Sequence, residues 1–105
     1  MRPRTRIEIQ GDALRISRNT EAVAFRWSEI RRVVAYKRDC LFTDQLCFSI
    51  SDGNWETEVN EHMEGWPDFI RQLPRKLERF PAEPDWSRRI AQPPPAQRAT
   101  ILYER

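Results

Sequence analysis

From Ile7 to Val59 the apolar side chains fall at every second position, and after Gly65 the interval changes to three and four. A period of two belongs to a strand with one buried face and a period near 3.6 to a helix, so the chain is expected to lay down a sheet first and a helix afterwards. Gln10-Gly11-Asp12-Ala13 separates Ile7 and Ile9 from Leu14 and Ile16, and a Gly-Asp pair between alternating runs is a hairpin signal. Arg18-Asn19-Thr20-Glu21 supplies the next turn, after which Val23, Phe25 and Trp27 face one way and Ala22, Ala24 and Arg26 the other. Arg31 to Arg38 is rich in β-branched and aromatic residues, and Leu46, Phe48 and Ile50 alternate with Gln45, Cys47 and Ser49. Asp52-Gly53 suits the two positive-φ positions of a type I′ turn, beyond which Trp55, Thr57 and Val59 face inward and Glu56 and Glu58 outward.

Trp66, Phe69, Ile70, Leu73 and Leu77 make the apolar stripe of an amphipathic helix over about 66–79. Pro67 sits where a missing N–H costs nothing, and Asp68 complements the positive end of the helix dipole. Pro74 lies inside the stripe and predicts a kink or a restart. The proline-rich stretch 81–96 reads as a connector over the surface, pinned by Trp86 and Ile90 through a short turn at 85–89, and a last strand is expected at 98–103. Residues 1–105 thus read as one α+β domain: a strongly bent antiparallel sheet, or a partly open barrel, of six to seven strands over about 5–60 and 98–103, capped by one helix. Trp27, Trp55 and Trp66 fall on inward faces and are expected in the core.

That order of elements resembles the pleckstrin-homology-like (PH-like) barrel, and Phe25-Arg26-Trp27-Ser28-Glu29-Ile30-Arg31-Arg32-Val33 is similar to the strand, W-x-x-I corner and following strand of its bacterial members. Tyr36-Lys37-Arg38-Asp39, Asp44, Trp55, Val59-Asn60-Glu61, Gly65-Trp66, Trp86 and Thr100-Ile101-Leu102-Tyr103 resemble a group of short, uncharacterised bacterial proteins over most of residues 25–103. The resemblance implies a fold but carries no catalytic or ligand residues.

The near-neutral formal charge of +2 hides a segregation. Residues 1–40 hold ten basic and five acidic residues, 41–70 none and seven, and 71–105 eight and four. An outward row of like charge can steer a partner, so Glu56, Glu58, Glu61, Glu64 and Asp68 are the candidate docking surface for a basic protein. The alternative uses the opposite sign: Arg32, Tyr36 and Arg38 share a strand face and could grip phosphate and stack a base, making a nucleic-acid or phosphate binder. Against it stands the pI of 8.8, below the ~9 common in such domains. A third reading is an immunity-like protein that neutralises a basic toxin.

Catalysis has little to work with. His62 is the single histidine, which removes Ser-His-Asp and two-histidine metal sites from a lone chain, and Cys40 and Cys47 lack CxxC spacing. Both read as reduced, mostly structural thiols, although Cys47 alternates out of phase with its apolar neighbours, a phase that leaves an accessible thiol open. A non-enzymatic module is expected, with no cofactor and no metal. No run approaches the ~18 apolar residues of a membrane helix, and Met1 to Arg6 lacks a signal peptide's apolar block, so a cytoplasmic protein is expected. A second copy is a further partner to consider, through an exposed strand edge near the C-terminal segment.

Overall fold

A computed structural model describes residues 5–39, 44–90 and 99–105. Strands β1 (Thr5–Gln10), β2 (Ala13–Arg18) and β3 (Glu21–Arg26) form a meander in the order β1-β2-β3. Its turns fall where the sequence placed them: Gln10 pairs with Ala13 around Gly11 (φ 62°), and Arg18 with Glu21 around Asn19 (φ 55°). A single 3-10 turn, Trp27–Glu29, then leads into β4 (Arg32–Asp39), β5 (Asp44–Ser51) and β6 (Glu56–Asn60). With β7 (Thr100–Glu104) these make a second antiparallel sheet ordered β6-β5-β4-β7.

The chain is therefore α+β, with sheets of three and four strands that are not closed into a barrel. Among the described residues a parallel bridge ties β1 of the first sheet to the segment that follows β6 of the second: Ile7 N–H donates to the Glu64 carbonyl at 2.7 Å, and Glu64 N–H to the Thr5 carbonyl at 3.2 Å. Gly65 makes this approach feasible. Its φ is +92°, and a Cβ built there would stand 2.0 Å from the Ile7 carbonyl oxygen. Only a residue without a side chain can follow the bridge and turn into the helix.

Among the described residues two helices, not one, lie over the sheets. The first, α1 (Trp66–Lys76), runs through Pro74 without restarting and ends three residues short of the expected boundary. Pro74 falls in its last turn, where the lost N–H costs one bond and the Leu77 N–H still reaches the Leu73 carbonyl at 2.9 Å. Arg79 then takes a left-handed conformation, φ 64°. The second, α2 (Glu83–Ile90), replaces the expected turn at 85–89. Its proline, Pro84, lies in the first turn with Glu83 and Asp85, while Arg88 and Arg89 occupy the last, so both ends suit the dipole. The rest of the expected connector, 91–96, lies outside the described residues.

Both helices converge on Phe48 in the middle of β5. Its ring meets Trp66 at 5.1 Å, Trp86 at 5.4 Å and Phe69 at 6.1 Å between centroids, each edge to face. Leu14, Ile16, Phe25, Val33, Ile50 and Val59 complete the core from the two sheets. Trp27 is buried as expected, with its indole N–H unpaired among the described residues. Trp55 is not: it lies outside the β5–β6 ladder and is 73% exposed. The turn centres on Gly53-Asn54, one residue later than expected, and only Gly53 has a positive φ (97°). Asp52 accepts from the Asn54 and Trp55 N–H groups at 2.9 and 2.7 Å, which fixes Trp55 at the sheet's end with no core to enter.

Candidate functional site

The register of the second sheet places two of the acidic candidates, Glu56 and Glu58, on the same face as the basic ones. Arg32 stands across from Ser51 and Ser51 from Glu56; Val34, Ser49 and Glu58 follow in one row, and Tyr36, Cys47 and Asn60 in the next. Strand β4 brings the cations, β6 the carboxylates, and β5 between them carries small polar groups. Tyr36 O–H and Arg38 Nη2 both donate to Glu58 Oε2 at 2.5 Å. Ser49 Oγ–H donates to Glu56, and Arg32 pairs with Glu104 at 2.6 Å. Partial burial disfavours ionised Glu58, but hydrogen bonds from Tyr36 and Arg38 with the Arg38 charge outweigh it and hold its carboxyl below the usual range. Burial, then the bond to Glu58, pushes the Tyr36 phenol far above its ordinary value.

The other acids are scattered and also engaged. Glu61 accepts the Leu46 N–H at 3.0 Å, Glu64 pairs with Arg6 at 3.3 Å across the inter-sheet bridge, and Asp68 with Arg71 at 3.4 Å along α1. Each of the five docking candidates thus has a polar partner within the chain, and so has each of the three anion-binding candidates. A partner arriving at either set competes with these bonds. Cys47 is fully buried, because the outer face of β5 is covered at this point as well as the inner; its thiol donates weakly to the Gln45 carbonyl at 3.6 Å. His62 lies exposed on the loop after β6, its N–H on Asn60 Oδ1 at 2.9 Å. Among the described residues no cluster of three His, Cys, Asp or Glu side chains could hold a metal ion, and no helix is long and apolar enough to cross a membrane.

The outer sheet face has a hollow of about 290 Å³ over Arg32, Tyr36, Ser49 and Glu56, and a larger, apolar concavity lies on the opposite side. Where α1 and α2 splay over the end of β4 and β5, a groove of about 530 Å³ opens on the helix side of the sheet. Leu46, Trp66, Ile70, Trp86 and Ile90 supply its apolar floor. Lys37, Glu61, Arg71 and Glu83 stand on its rim. Lys37 alternates with Tyr36 and Arg38 and so points to the helix side, where Leu46 is its cross-strand neighbour. Of these residues, sequence reasoning singled out only Glu61 for function. The signal was present: Trp86 and Ile90 repeat the i, i+4 spacing of Trp66 and Ile70, and two such pairs on neighbouring helices can face each other.

No protein family, curated protein or solved structure matches the chain. The geometry stands on its own.

Proposed function

We propose that this chain is a non-enzymatic, cytoplasmic protein-binding module that takes a basic partner at the α1–α2 groove, with Glu61 the member of the acidic run that reaches it. The carrying observation is the groove itself: about 530 Å³, inside the ~300–1,000 Å³ range of ligand sites, with Leu46, Trp66, Ile70 and Ile90 half-open to solvent over buried Trp86 and beneath a charged rim. Seating one leucine-sized side chain there contributes about 1.5–3 kcal/mol, the scale of an interface hot spot. The outer sheet face offers less, since its charges are spent on one another. The fold is proposed to be an opened relative of the PH-like barrel, akin to the short bacterial proteins whose motifs it resembles; the meander order and the bridge at Arg6 and Glu64 support that kinship.

The test is affinity capture with two variants. Ile70→Asp is expected to lose the captured partner and Glu56→Lys to keep it. The reverse pattern would return docking to the acidic sheet face and reject the groove.

A further inference from the structure

We infer that the groove receives a short stretch of polypeptide carrying one bulky apolar side chain beside a Lys or Arg. This rests on the binding-module reading and adds the chemistry of the partner. The floor is formed before anything binds, because Trp66 and Trp86 are each set edge to face against Phe48 in the core. An apolar side chain therefore meets a formed surface and pays little for ordering it.

The rim decides the flanking charge. Arg71 is paired with Asp68 at 3.4 Å, whereas Glu83 and Lys37 have no partner among the described residues. Among the described residues Glu61 takes only the neutral Leu46 N–H, and no cation there pairs with its charge. Setting aside the Arg71–Asp68 pair leaves two carboxylates against one ammonium, and a cation on the incoming segment is favoured over an anion. Half-buried Trp66 on the floor adds an aromatic face, on which a guanidinium is stabilised further.

A library of random linear peptides displayed on phage, selected on the intact chain and counter-selected on Ile70→Asp, tests this. The expected result is enrichment of a large apolar residue with Lys or Arg within a few positions. Binding of that peptide should weaken about three- to tenfold in a Glu61→Gln, Glu83→Gln double variant, and Glu61→Gln keeps the acceptor for Leu46. Enrichment of neutral or acidic peptides that still need Ile70 overturns the inference, and with it the basic character of the partner, but leaves the groove standing as the docking surface. No enrichment on the intact chain overturns both. A dimer in light scattering that Ile70→Asp dissociates puts a second copy in the groove and overturns the inference.

Discussion

Replacing Gly65 by alanine is the sharpest test of how the two sheets and α1 are joined. The new Cβ would lie 2.0 Å from the Ile7 carbonyl oxygen and 3.0 Å from its carbon, so backbone must move against backbone. The φ of +92° alone costs a non-glycine residue about 1–2 kcal/mol. Opening the contact to van der Waals distance takes about 1.5 Å of displacement, which strains the Ile7 to Glu64 and Glu64 to Thr5 hydrogen bonds, each contributing about 0.5–1.5 kcal/mol. Together these give a loss of about 2–5 kcal/mol, a large fraction of a small domain's stability. Urea unfolding followed by tryptophan fluorescence reads it directly. Gly11→Ala is the control: its φ is also positive, +62°, but nothing lies within 4 Å of the added Cβ, so only the backbone cost of about 1–2 kcal/mol applies. If Gly65→Ala cost no more than Gly11→Ala, the bridge would not depend on close approach and the reasoning would be refuted.

Further outcomes follow from particular residues. Because the Glu58 carboxyl is held low, its contribution is present above the ordinary carboxylate pKa of ~4.3 and is lost as pH falls through the folded value; Glu58→Gln should cost about 1–2 kcal/mol at pH 7 and much less at pH 3. A cost that did not change with pH would remove the ionic part of that network. The raised Tyr36 phenol works in the opposite direction, stabilising below pH ~10 and failing as pH rises beyond it, so in a Tyr103→Phe background the absorbance change of tyrosinate should appear only as the chain unfolds in alkali. Arg79→Gly relieves a left-handed non-glycine residue on the surface and should raise the unfolding free energy by about 0.5–1 kcal/mol, read as a higher urea midpoint. Trp55→Ser should change stability by less than about 0.5 kcal/mol, which a core tryptophan never would.

Local chemistry was legible in the sequence and register was not. The hairpins at Gly11 and Asn19 and the start of α1 at Gly65-Trp66-Pro67 follow from turn residues, caps and periodicity, each set by a few neighbouring side chains. Helix α2 was hidden because prolines on both sides of Trp86 suggest an extended chain, yet Pro84 in a first turn breaks nothing. Alternation assigned Trp55 to the inner face without showing that the sheet ends there, and it left an accessible Cys47 open where β5 in fact buries the structural thiol. The largest omission concerned charge. Tyr36 and Arg38 lie about twenty residues from Glu58, and only the β4–β5–β6 register reveals that the acidic and basic blocks meet and neutralise one another. With that surface spent, the groove between two tryptophan-bearing helices became the candidate.

The most direct measurement is a titration of the isotopically labelled chain with the selected apolar-basic peptide, followed through its backbone amide resonances. Binding at the groove predicts shifts concentrated at Leu46, Glu61, Ile70, Ser87 and Ile90, with the amides of Ser49, Glu56 and Glu58 unmoved. Shifts confined to Glu56, Glu58 and their neighbours on the outer sheet face would contradict the account.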